Sequence, residues 1–202
     1  MHDFTSYIGI IGGGISGLTL GCTLRKNGIK SIIFEKENDI HDEGAGISIS
    51  PNGLIAFEHL DLKNELLNNS YKSPKAILRY NKTHLLEMES PVYTMNRKNL
   101  INLLYERYTN LGGEILFDHK LKDIKLKNKE LIFTNSKNFR VDHIVASDGI
   151  KSLIREKIFS QGSKPVYSGY SAWRGFIKSE NPNVEISFSK KKHLVSYPID
   201  NN

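Results

Sequence analysis

The spacing Gly12-x-Gly14-x-x-Gly17 constrains this chain more than any other feature. The three glycines follow the apolar, β-branched run Tyr7-Ile8-Gly9-Ile10-Ile11, which predicts a buried strand. Behind them, Ile15, Leu18, Cys22 and Leu24 recur at helical spacing as far as Lys26, and Asn27-Gly28 is a helix stop. Ser31-Ile32-Ile33-Phe34-Glu35 then predicts a second buried strand ending in an acid. Strand, glycine turn, helix and strand in so short a span predict a right-handed βαβ unit.

A glycine turn that opens a helix suits a dinucleotide. Gly12 permits the tight turn, Gly14 lets the backbone approach a pyrophosphate, and Gly17 lets helix and strand pack closely. The helix N-terminus adds unpaired N–H groups and partial positive charge. Glu35 lies eighteen residues beyond Gly17, at the end of the second strand. A carboxylate there accepts hydrogen bonds from a ribose diol. It would also repel a 2′-phosphate. The ligand is therefore FAD or NAD rather than NADP, and this unit alone does not separate the two.

Beyond the unit, Glu43 to Ser50 is a glycine loop entering an alternating segment, and Pro51-Asn52 opens a helix. Ala76–Arg79 and Leu85–Met88 predict a hairpin around Asn81-Lys82. Asn96–Tyr108 predicts a helix with Leu100, Leu103, Leu104 and Tyr108 on one stripe, capped by Leu111-Gly112-Gly113. Ile115–Phe117 is a short strand. Leu121–Lys127 and Leu131–Thr134 form a second hairpin around Asn128-Lys129. Val141–Ser147 is a buried strand leading to Asp148-Gly149, and Ser152–Phe159 is helical. Strands are expected at Tyr170–Ile177, Val184–Phe188 and Leu194–Ile199. The last has no partner after it, so the sequence is expected to break off within a second domain.

Charge and cysteine content narrow the function class. The net charge of +6 comes from 28 basic and 22 acidic residues, and only Lys190-Lys191-Lys192 forms a run. Charge spread this thinly does not point to nucleic acid. The lone Cys22 forbids an internal disulfide and fits a core position in a reducing compartment. Ile8–Leu24 is too short and too glycine-broken for a membrane span, and no signal peptide is visible. A cytoplasmic protein without integral membrane contact is expected.

Four features together resemble the group A FAD-dependent aromatic monooxygenases, especially the salicylate hydroxylase-like enzymes and the hydroxylases of ubiquinone biosynthesis. They are Gly12 to Gly17 with Glu35-Lys36; Gly44-Ala45-Gly46-Ile47 before Pro51-Asn52-Gly53; Asn96-Arg97-Lys98-Asn99-Leu100 leading a helix; and Asp148-Gly149 followed by Ser152 and Arg155. Tyr170-Ser171-Ala172-Trp173-Arg174-Gly175 and Tyr197-Pro198 resemble the salicylate hydroxylase branch. The resemblance covers essentially the whole chain, as the N-terminal half of such an enzyme. It implies an α/β, Rossmann-type FAD-binding domain, glutathione reductase-like and para-hydroxybenzoate hydroxylase-like, with part of a β-sheet substrate domain. Residues 1–73 and 93–163 would form the first, and 74–92 and 164–202 the second.

The resemblance also implies roles. FAD would contact Gly12, Gly14, Ile15, Ser16, Gly17, Glu35 and Lys36. Gly46-Ile47 would pass the isoalloxazine, Arg97 would reach the ribityl or pyrophosphate region, and Leu121 would meet the adenine side. Asp148-Gly149 would serve FAD and nicotinamide docking, with Arg155 steadying that loop through Asp148 or a phosphate. Ser48 and Tyr197 could line the substrate side, and no residue stands out as a catalytic base. The implied reaction hydroxylates a small phenolic substrate with NADH or NADPH and O2 through a flavin C4a-hydroperoxide. A related oxidase, epoxidase or reductase, and a non-catalytic FAD-binding fragment, are the alternatives. A metal site is not expected.

Overall fold

The computed structural model describes residues 2–40, 46–89, 91–159 and 164–199. In chain order the first elements are β1 (His2–Ile11), α1 (Ile15–Lys26), β2 (Ser31–Phe34), β3 (Gly46–Ile49), α2 (Pro51–His59), α3 (Lys63–Asn68) and β4 (Tyr71–Ser73). Next come β5 (Ala76–Tyr80), β6 (Thr83–Met88), β7 (Val92–Asn96), α4 (Arg97–Asn110), β8 (Glu114–Leu116) and β9 (Leu121–Lys125). The last are β10 (Glu130–Phe133), β11 (Asn138–Ala146), α5 (Leu153–Ile158), β12 (Val184–Phe188) and β13 (His193–Ser196). They group into two compact units, Met1–His41 with Leu104–Ala172 and Asp42–Leu103 with Trp173–Asn202.

The first unit is built on a six-stranded sheet in the order β8-β2-β1-β11-β10-β9. β8, β2, β1 and β11 run parallel, β10 pairs antiparallel with β11, and β9 pairs antiparallel with β10. All four residues of β2 are buried, as an unbroken apolar run in a parallel sheet requires. α1 carries the chain from β1 to β2 on one side, and β11 pairs β1 on the other, so the strand order reverses at the carboxyl end of β1. Open α/β sheets bind their ligands at that position. Beneath it, Phe34 stacks on Phe133 with centroids 4.9 Å apart, and Phe139 closes on both. Each buried phenyl ring contributes about 1.5–3 kcal/mol. The Tyr108 ring lies against Gly21 and Gly113, where any Cβ would come within 3 Å of it. Its hydroxyl donates to the Ser31 carbonyl at 2.9 Å.

The second unit holds two sheets, β3-β7-β4 and β13-β12-β5-β6. The hairpin β5–β6 turns at Asn81 and Lys82, both with positive φ, as the sequence predicts. β12 pairs β5 in parallel and β13 in antiparallel register. In this way segments 76–88 and 184–196 share one sheet.

Several expectations need correction. No strand forms over Tyr170–Ile177, and this segment is open coil with Trp173 96% exposed. Its alternating pattern finds no neighbouring strand among the described residues, and a strand without a ladder leaves its backbone groups to water. The strand expected at Val141–Ser147 is β11, which starts earlier, at Asn138, and is not uniformly buried: Phe139 and Val141 face the core, whereas His143 and Ala146 are exposed. The strand expected from Leu194 to Ile199 is β13, which ends at Ser196. In α4 the buried stripe holds Ile101 in place of Leu103. Elements α3, β4 and β7 carry no expectation from the sequence. The expected loop residues Glu43, Gly44 and Ala45 lie outside the described residues.

Candidate functional site

The glycine turn sits at the carboxyl end of β1, and its glycines answer to different neighbours. Gly12 adopts φ +106°, and a Cβ there would lie 2.3 Å from the Ser147 carbonyl oxygen at the end of β11. A Cβ on Gly17 would lie 2.0 Å from the Gly12 carbonyl oxygen, so helix and turn can touch only through glycine. Gly14 has nothing within 4 Å of its Cβ position, leaving open space at the first residue before α1. Gly14 has no side chain to cap that helix end, and the first turn carries no acid. The orphan N–H groups of Ile15 and Ser16 are therefore available to an anion. Ser16 is exposed and Ile15 half-buried.

Glu35 stands beside this turn, just past β2. Its Oε2 accepts the Gly13 N–H at 2.6 Å, and its Oε1 accepts the Glu37 N–H at 3.1 Å. A carboxylate offers about four lone-pair positions, so both oxygens retain capacity for a ribose diol. The strand end is fixed by backbone bonds from Glu35 N–H to the Leu116 carbonyl and from His119 N–H to the Glu35 carbonyl. Lys36 is exposed and pairs with Glu37 at 3.1 Å. Sequence reasoning missed Gly13, whose role follows from the facing strand rather than from any spacing.

Asp148 and Gly149 follow β11 at the same end of the sheet. Asp148 Oδ2 accepts the N–H groups of Leu153 at 2.8 Å and Ile154 at 3.4 Å, capping α5. Ser152 Oγ accepts the Arg155 N–H at 3.0 Å. Asp148 Oδ1 is buried without a hydrogen-bond partner among the described residues. Gly149 has φ +76°, which a side chain would strain. Arg155 donates through its guanidinium to the Ile150 carbonyl, steadying the loop through its backbone. Leu121, at the start of β9, is 9% exposed and belongs to the phenylalanine core cluster.

The second unit carries the remaining residues. Gly46 pairs Asn96 across β3 and β7, so Arg97 follows directly at the same sheet end. Asn96 Oδ1 accepts the Lys98 N–H at 2.9 Å, capping α4, and Arg97 is half-buried. The Tyr197 ring packs on Gly46, where a Cβ would lie 2.6 Å from its Cε2. Ser48 is exposed on β3, two residues on and therefore on the same side as Gly46. No group of metal-ligating side chains occurs among the described residues.

An uncapped helix end, an open Gly14 and a carboxylate beside the turn fit a dinucleotide with a ribose and a pyrophosphate. The class this defines is a Rossmann-type nucleotide-binding α/β protein. The sequence matches the family described as FAD binding domain over residues 5–185, and the chain belongs to that family. It is 30% identical over 179 residues to the aurachin C monooxygenase/isomerase of Stigmatella aurantiaca, covering 82% of this chain and 46% of that protein. It is 25% identical over 222 residues to the 3-amino-4-hydroxybenzoate 2-monooxygenase of Streptomyces cremeus, covering 98% and 55%. The chain thus spans about half the length of these curated relatives. Its fold is that of 2-methyl-3-hydroxypyridine-5-carboxylic acid oxygenase, with a TM-score of 0.78 at 22% identity, over 96% of this chain and 56% of that one. FAD is the cofactor of this family, as the sequence resemblance implies. No helix of the described residues is long and apolar enough to cross a membrane.

Proposed function

We propose that the protein is an FAD-dependent monooxygenase that hydroxylates a phenolic or similar aromatic substrate, with NADH or NADPH as reductant and O2 as co-substrate. The observation that carries this reading is the Glu35 carboxylate held beside an open glycine turn, in a chain whose relatives are named as monooxygenases, among them a 3-amino-4-hydroxybenzoate 2-monooxygenase. When bound, FAD supplies hydride acceptance and oxygen activation.

The chain's own residues would bind and orient. The N–H groups at Gly14, Ile15 and Ser16 hold the pyrophosphate, with Gly12 and Gly17 shaping the turn. Glu35 accepts the ribose hydroxyls, with Lys36 at the outer edge. The buried Asp148 Oδ1 needs a donor, which a cofactor hydroxyl supplies, and Gly149 lets the loop approach the nicotinamide. By the family resemblance, Arg97 would offset phosphate charge, Gly46 and Ile47 would lie toward the flavin, and Leu121 toward the adenine. Tyr197 and Ser48 face the substrate, where the Tyr197 hydroxyl can hold or pass a phenol proton. Residues 1–73 and 93–163 form the cofactor domain in this reading. Residues 74–92 and 164–202 belong to the substrate domain in this reading; the shared sheet of β5, β6, β12 and β13 supports joining 76–88 with 184–196, while the compact unit that holds them also takes in 42–73 and 93–103.

The test follows NADH and NADPH oxidation with a panel of phenols under isotopically labelled dioxygen. Substrate-stimulated oxidation with one labelled oxygen in the product is expected. Oxidation that yields only hydrogen peroxide, with unmodified phenol, contradicts the proposal.

A further inference from the structure

The one basic run of the sequence is Lys190-Lys191-Lys192, none of whose residues is assigned to the flavin site above. It forms the turn between β12 and β13, closed by the Ser189 N–H donating to the Lys192 carbonyl at 2.8 Å. The Asn81 N–H donates to the Phe188 carbonyl at 2.9 Å, which ties the β5–β6 turn to the same sheet end. Lys82 therefore joins the run, and all four lysines are exposed. Segments 80–86 and 186–199 contain no aspartate or glutamate. A groove of about 870 Å³ lies between the two turns, lined by Arg79, Lys82, Lys192 and His193 together with Phe188 and Leu194. Apolar side chains stand out among the cations: Leu194 is 68% exposed and Tyr80 45%.

We propose that this sheet end docks on an anionic lipid bilayer. Four lysines in one acid-free tip concentrate more than half of the chain's formal net charge of +6. Such a tip draws the protein to a negative surface within a Debye length of about 8 Å. Lysine stems then lie along the interface with their ammonium groups at the headgroups, while Leu194 and Tyr80 enter the acyl boundary. A nucleic-acid partner fits less well. Its recognition favours guanidinium forks and stacked aromatic platforms, whereas the run here is lysine, Arg79 is engaged with Glu185 at 3.6 Å, and the most exposed apolar group in the groove lining is aliphatic.

Co-sedimentation of the full chain with phosphatidylcholine vesicles, with and without phosphatidylserine, tests this. Binding is expected only to the anionic vesicles and should weaken as salt rises. The triple variant K190Q/K191Q/K192Q should lose about a hundredfold in vesicle affinity, from roughly fivefold per lysine. L194S should weaken binding at every salt concentration. FAD uptake by each variant checks its fold, and K191Q alone serves if the triple variant does not fold. Equal binding to both vesicle types, or a triple variant within about twofold of the parent, overturns the proposal. So does tighter binding to a single-stranded oligonucleotide than to anionic vesicles at the same salt.

Discussion

The Gly13 backbone N–H donates to Glu35 Oε2 at 2.6 Å, which binds the glycine turn after β1 to the end of β2. One carboxylate thus stabilises the turn and waits beside the helix N-terminus for a ribose. Replacing Glu35 by Ala removes both roles. Replacing it by Gln keeps an oxygen for Gly13 while weakening the charge-assisted bonds to the diol. Each should weaken FAD binding by about 1.5–3 kcal/mol, or roughly tenfold to a hundredfold. Thermal melts should separate them, with E35A melting lower than E35Q. Unchanged FAD affinity in both would remove the ribose role.

Gly14 and Gly17 differ in what surrounds them, and alanine variants should show it. At Gly17 a methyl group meets the Gly12 carbonyl oxygen at 2.0 Å, so G17A should lose about 1–3 kcal/mol of stability without any ligand. At Gly14 the space is open, so G14A should melt like the parent. It should still bind FAD more weakly, because the methyl group projects where a pyrophosphate approaches. A paired measurement of Tm and FAD affinity checks both, and the reverse pattern contradicts the geometry.

Among the described residues, Asp148 has one oxygen with hydrogen-bond partners and one without. D148A should lose the bonds to the Leu153 and Ile154 N–H groups at the start of α5 while keeping the Ser152 cap, costing about 0.5–1.5 kcal/mol per bond, and lower the Tm. D148N retains an oxygen for Leu153, so it should keep its Tm and change only flavin affinity. Thermal melts and flavin titration read the two effects separately.

Much of the cofactor unit was legible because its signals are local. The strand from Tyr7 to Ile11, the glycine spacing and the acid at Glu35 all lie within one continuous segment. The Asn81-Lys82 hairpin was legible for the same reason. The failures concern partners distant in sequence. Tyr170–Ile177 alternates like a strand, but alternation does not provide a neighbour to pair with. β7 was missed because Val92–Asn96 is short and mixed, and becomes a strand only by lying between β3 and β4. Leu121 belongs to the same buried cluster as Phe34 and Phe133, a membership that its spacing in the sequence does not announce. The link from Gly13 to Glu35 spans two strands and leaves no mark in residue spacing.

Cys22 is fully buried and donates to the Leu104 carbonyl at 3.4 Å. Burial pushes its thiol up to about 11. Because the folded value is raised, the stability it lends is complete below the unfolded value near 9.0 and is lost as the pH climbs through about 11. The folded chain should resist thiol alkylation at neutral pH and react fully in denaturant. Its unfolding free energy should fall from pH 9 toward pH 11 by at most about 2–3 kcal/mol, and less steeply in C22A. Rapid alkylation of the native chain contradicts this burial.

The most direct test of the central claim is a titration of the purified 202-residue chain with FAD, followed by the visible spectrum and flavin fluorescence. Saturable binding of one FAD per chain is expected, with a perturbed flavin spectrum and weaker binding in E35A and G14A. A folded chain that leaves the spectrum of free FAD unchanged at saturating concentration would contradict it.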